Sequence, residues 1–137
     1  MVGIIAFNIT KISVEKEPEI KGKISIKYNV QFKNVQKTDL FLGKTKQEAL
    51  KFSFEYSANY EPKGGKILLV GDLIAIDEVE KVKEIINEWN KNKKLHKEVA
   101  TPVINTILSK CNIEAILLAR EVNLPPPVPL PKVKVSG

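Results

Sequence analysis

Few residues in this chain could do covalent or proton-transfer chemistry, and their spacing argues against it. His96 is the only histidine and Cys111 the only cysteine. His96 stands inside "NKNKKLHK" (Asn90 to Lys97), where it reads as a surface residue rather than a base or a ligand. Cys111 falls on the apolar side of a helical pattern, where a thiol packs as a small hydrophobe. "GKT" (Gly43 to Thr45) imitates the end of a phosphate-binding loop. That loop needs an earlier glycine at the position Thr38 occupies, and the segment leads into a strand rather than a long helix. The acidic residues are scattered over solvent faces and helix starts, without the spacing of a metal site. No catalytic residue, metal or cofactor is expected, and the chain does not read as an enzyme.

Charge offers a second kind of chemistry. The formal net charge is +6 and the sequence pI about 9.3, which permits attraction to nucleic acid, acidic protein or anionic lipid. Most lysines alternate along strands, and only the Asn90 to Lys97 run is dense. A solvated face accounts for such a run; phosphate contact through Lys91, Lys93, Lys94 and Lys97 is the alternative. Base stacking would need aromatics on an exposed sheet face. Tyr28, Phe32, Phe52, Phe54 and Tyr56 instead share the apolar parity and are expected under helices.

The elements that position these residues follow from periodicity. At 137 residues, 43% apolar and 28% charged, the chain has the composition of one globular domain. No apolar run reaches the roughly 18–20 residues of a membrane span, and Val2 to Phe7 makes no signal peptide. A lone cysteine carries no oxidising-compartment signature, so a soluble cytoplasmic protein without membrane insertion is expected. In "KISIKYNVQFK", Ile24, Ile26, Tyr28, Val30 and Phe32 share one side; in "LKFSFEYSANY", Leu50, Phe52, Phe54, Tyr56, Ala58 and Tyr60 do. A period of two predicts strands with one dry and one wet face. Gly64 and Gly65 suit a hairpin turn, and Lys66 to Asp77, apolar on both sides, predicts a strand placed centrally or against a partner. In the first strand the apolar parity changes between Ile9 and Ile12, predicting a bulge near Thr10 and Lys11. The stretch from Asn34 to Ala49 is expected to be irregular, with Leu40, Phe41 and Leu42 as a small apolar knot of open placement.

After Asp77 the period becomes helical. Val79, Val82, Ile86 and Trp89 mark a short helix, and Thr101-Pro102 suits the start of a longer one running to about Asn123. On the long helix, Val103, Ile104, Ile107, Leu108, Cys111, Ala115, Leu118, Ala119 and Val122 make one broad apolar face. Ile113, Ile116 and Leu117 fall on the opposite side beside Thr106, Ser109 and Arg120. A second apolar stripe on a core helix predicts either a subunit interface or a lid from the tail. That tail concentrates five of the eight prolines between Pro125 and Pro131. An extended strap that packs on the domain, a groove wall, or a ligand for a Pro-binding domain would each use it. The reading is therefore α+β: a four-stranded antiparallel sheet with a short and a long helix packed on one face. A single domain over residues 1–137 is expected, with the sheet in 1–77, the helices in 78–123 and a Pro-rich tail in 124–137.

This order of elements resembles the SecB family of export chaperones. "ITKISVEKEP" (Ile9 to Pro18) is similar to the family's first strand and "LLVGDLIAI" (Leu68 to Ile76) to its last. "TPVINTILSKCNIEAILLAREVNLPPPVPL" (Thr101 to Leu130) is similar to its long helix and proline-rich exit. The resemblance implies an ATP-independent holdase for unfolded polypeptides and a homo-oligomer, dimer or tetramer, layered through the long helices. It implies client contacts near Glu17 to Gly22 and Leu124 to Leu130. Ile20, Leu124, Val128 and Leu130 are the apolar candidates there, joined by Leu40, Phe41 and Leu42. Three features depart from the family. The helix beyond the proline segment has no counterpart before Gly137, the loop "EKEPEIKGK" lacks aromatics, and the outward sheet face reads as basic where export members are acidic. The last argues against a SecA partnership and leaves a general holdase or one devoted to a single client, such as an antitoxin. A basic nucleic-acid or ribonucleoprotein adaptor is the alternative function.

Overall fold

The computed structural model describes residues 3–18, 22–62 and 64–127. Four strands, β1 (Gly3–Lys16), β2 (Ser25–Leu42), β3 (Thr45–Glu61) and β4 (Gly65–Ile76), precede α1 (Val79–Asn92) and α2 (Lys97–Glu121). All pairings are antiparallel and the sheet order is β1-β4-β3-β2. The α+β class read from the alternation is the fold observed, with β4, apolar on both sides, in the centre beside β3. Phe52, Phe54, Tyr56, Ala58 and Tyr60 of β3 and Ile67, Leu69 and Leu73 of β4 are buried beneath the helices.

The parity change in β1 is a register shift between Ile9 and Lys11, where the Thr10 hydroxyl donates to the Val70 carbonyl at 3.2 Å. A second shift lies between Ile4 and Ala6. Gly71 of β4, paired with Ile9 on one side and Phe54 on the other, admits this close approach. A Cβ there would stand 2.0 Å from the Asn8 carbonyl oxygen. Phe7 of β1 reaches across to stack on Phe54 at 5.2 Å between ring centroids.

The segment from Asn34 to Ala49, expected to be irregular, is a hairpin instead. A bulge between Phe32 and Asn34 flips the parity, so Val35 becomes the inward residue at 2% exposure. β2 then continues to Leu42 and turns through Gly43, at φ 67°, into β3. Beyond Val35 the backbone ladder continues to Leu42 and Thr45, and opposite charges rather than buried apolar residues face one another across it. Lys37 meets Glu48 at 2.7 Å and Lys46 meets Asp39 at 3.4 Å. "GKT" is thus the hairpin turn and the start of β3.

α1 lies as the pattern predicts, although Ile85 is buried with Val82 and Trp89 while Val79 is 46% exposed. α2 begins a turn earlier than expected, at Lys97, with the His96 carbonyl accepting from the N–H groups of Val99 and Ala100. Pro102 therefore sits in the second turn, where its ring removes one helical hydrogen bond. Val99, Val103, Ile107, Cys111, Ala115 and Ala119, each four apart, form the line buried on the sheet. By length and composition α2 could cross a membrane; that packed line is what makes it the core helix of this fold.

Candidate functional site

Burial leaves little for acid–base chemistry to use. The Cys111 thiol is buried and pushed up to about 12, first by burial and then by the Glu114 charge, so it is inert. Burial likewise pushes the Tyr56 and Tyr60 hydroxyls up to about 12. His96 is exposed at the start of α2 and its side chain makes no capping hydrogen bond. Among the described residues no cluster of His, Cys, Asp or Glu could hold a metal ion.

Binding surfaces are better supplied. The back of α2 carries Ile113, 61% exposed, and Leu117, 47% exposed, with Ile116 half-buried between them. Ser109 and Arg120 are exposed on the same side, and Thr106 is half-buried with its hydroxyl donating to the Pro102 carbonyl at 3.0 Å. These six positions share the helix face turned away from the sheet.

The proline segment returns onto the domain at once. Asn123 takes a left-handed φ of 58°, its N–H donates to the Arg120 carbonyl, and the Leu124 N–H donates to that of Ala119 at 2.8 Å. This is a Schellman end, in which the residue after the left-handed one packs back on the last turn. Leu124 is accordingly a core residue at 5% exposure. The Tyr60 hydroxyl, reaching out from β3, donates to the Pro125 carbonyl at 2.6 Å. Over Leu124 to Pro127 the strap covers the domain's own core, and a shallow recess against Ile116 and Arg120 remains beside Pro125 and Pro126. Ile20, Val128 and Leu130 lie outside the described residues.

The apolar knot sits near the tip of the β2–β3 hairpin. Leu40 is half-buried there and Phe41 is 70% exposed; Leu42 is the last residue of β2, its side chain outside the description. Beside them the Glu48 carboxylate, by its hydrogen bond and then its charge, raises the Lys37 ammonium above its ordinary value. The wet sheet face is less basic than the lysine alternation implies. Lys27 pairs with Glu61 at 3.2 Å and Lys33 with Glu55 at 3.5 Å. Such exposed pairs stabilise little, but with Lys37–Glu48 they set a carboxylate against each of the three lysines of β2.

One surface was not legible in the sequence. Along the open edge of β2, facing the α1–α2 connection, lies a recess of about 540 Å³. Phe32, Trp89, Leu95, Ala100 and Ile104 form its apolar walls and Lys93 its rim. Tyr28, expected under the helices, is 51% exposed further along the same strand, on the same parity as Val30 and Phe32. Leu95, an apolar residue inside the lysine run, was the one sequence signal of a wall there.

No protein-family model matches the chain, and no curated protein sequence matches it. The comparison with solved structures defines the fold: it is SecB-like. The chain superposes on the Mycobacterium tuberculosis SecB-like chaperone Rv1957, in complex with a ChAD peptide from the Rv1956 HigA1 antitoxin. The TM-score is 0.51 at 8% sequence identity, over 99% of this chain and 93% of that one.

Proposed function

We propose that this chain is a chaperone of the ATP-independent holdase type, binding unfolded or non-native polypeptide without catalysis. The observation that carries the reading is a SecB-like fold, matched over nearly the whole chain, that leaves Ile113 and Leu117 of α2 and Tyr28 and Phe41 of β2 exposed. Such surfaces bind by apolar burial with backbone hydrogen bonding, which tolerates many client sequences. The exposed Ile113 and Leu117 support a homo-oligomer, dimer or tetramer, joined through the back of α2. Tyr28, Phe32 and the hairpin's Leu40 and Phe41 are the client positions this surface favours; Leu124 supports the strap instead. The cytoplasm is the compartment that suits such work. The known complex of the fold neighbour with an antitoxin peptide supports a single dedicated client as readily as a role in export, and no acidic sheet face recommends SecA.

The test is refolding of a slow-folding model protein, diluted from denaturant with and without excess chain and without nucleotide. Delay that is relieved by competing unfolded peptide is the expected result. No effect across salt and temperature would reduce the likeness to architecture alone. Tight oligonucleotide binding that falls steeply with salt would then favour an adaptor working through Lys91, Lys93, Lys94 and Lys97.

A further inference from the structure

The recess beside β2 is lined by Trp89, whose one polar group the fold itself does not use. Trp89 is 5% exposed, and its indole Nε1–H, a donor with no acceptor capacity, is buried without a hydrogen-bond partner. A buried donor left unmade carries a desolvation cost that any incoming acceptor would recover. The other polar group at the ring is cationic: the Lys93 ammonium lies 5.5 Å from the indole centroid. Lys93 is also the left-handed residue that ends α1, at φ 55°, so its side chain projects from a fixed corner of the backbone. Lys33 lines the same recess with its ammonium already engaged by Glu55 and by Gln31, another lining residue. Lys91, Lys94 and Lys97, close to Lys93 in the chain, are exposed. Positive charge and an unspent donor thus converge on one apolar recess at an open strand edge.

We propose that this recess selects a carboxylate-bearing segment of polypeptide, a side-chain carboxylate accepting from Trp89 Nε1–H while Lys93 supplies the counter-charge. The inference rests on the polypeptide-binding reading and deepens it, since it gives the client a chemical preference. Apolar neighbours of that acidic residue occupy Phe32, Leu95 and Ile104. Lys93 is exposed and free to swing toward an incoming carboxylate, while the Nε1–H, buried in this structure, is reached only as the side chains around the indole shift on binding. Acidic clients are the preferred ones, in keeping with a chain of net charge +6.

Three short fluorescein-labelled peptides test this by anisotropy against the full chain: valine alternating with glutamate, with glutamine, and with lysine. The glutamate peptide is expected to bind about five- to tenfold more tightly than the glutamine one, and the lysine peptide most weakly. Lys93→Glu, at an exposed position, should abolish that ratio, and Trp89→Phe, which keeps the ring bulk but removes the donor, should reduce it. Equal affinities for glutamate and glutamine peptides, or a ratio that survives in both variants, would overturn the proposal. An unfolded, reduced client protein is titrated alongside. If it binds while the peptides are not discriminated, the recess preference falls and the chaperone reading stands; if neither it nor the peptides bind, both fall. A labelled oligothymidylate that binds more tightly than the glutamate peptide, and is lost in the same variants, would assign the recess to nucleic acid.

Discussion

Leu124→Ala separates the two roles open to the proline strap. At 5% exposure the leucine is a core residue, and truncating such a side chain costs about 2–5 kcal/mol when the site cannot collapse. The strap is at the periphery and can sink toward the sheet, which places the expected loss near the lower bound, about 2–3 kcal/mol. Tyr60→Phe removes only the hydroxyl bond to Pro125. Because Pro125 is exposed its carbonyl regains water, and the cost is about 1 kcal/mol. The two changes touch one anchor, so the double variant should lose less than the two losses added. Urea unfolding followed by the fluorescence of Trp89, the only tryptophan, measures all three. A loss below about 0.5 kcal/mol in Leu124→Ala, together with weakened client binding, would refute the structural role and make the strap a groove wall.

Gly71→Ala should cost about 2–4 kcal/mol, since the new methyl would displace β1 from β4 at the bulge. Gly43→Ala, where nothing stands within 4 Å and only the positive φ is strained, should cost about 1 kcal/mol; reversed order in urea melts would contradict the packing assigned to β1. Ile113→Glu with Leu117→Glu should lower the mass seen by light scattering while leaving the circular dichroism spectrum intact, and an unchanged mass removes the interface. The tyrosine hydroxyls hold pKa values raised above the unfolded value of 10, so the unfolded chain releases these protons first. Their contribution is complete below pH 10 and lost as pH rises toward about 12, and Tyr60→Phe should flatten that decline. Cys111 should resist thiol reagents until the protein unfolds.

Strand positions were legible wherever a single face stayed dry, because a period of two needs no partner to be seen. The reading stopped at Lys33, where one extra residue shifted Val35 inward and the Lys37–Glu48 and Asp39–Lys46 pairs took over from apolar alternation. Cross-strand charge has no period that a sequence displays before its register is known. Thr101-Pro102 looked like a helix start because capping chemistry is local, but the line of contacts from Val99 extends the helix past it. The back stripe of α2 could be read directly from the helical repeat. The recess at β2 could not, since Phe32, Trp89 and Ile104 come from three elements. Whether an indole N–H finds a partner is decided by their packing and not by the residue type.

The sheet order has a consequence for the growing chain. β1 leaves the ribosome before the other three strands, yet its partner is β4: Asn8 meets Asp72 across 64 residues and Thr10 meets Val70 across 60. β2, β3 and β4 pair by successive hairpins and can zip as they emerge, while β1 waits with Ile4, Ile5, Phe7, Ile9 and Ile12 uncovered. Non-local pairing of this kind is slow and leaves strand edges open to other chains. The lysines at positions 11 and 16 put charge on the waiting strand, which disfavours its pairing with other chains.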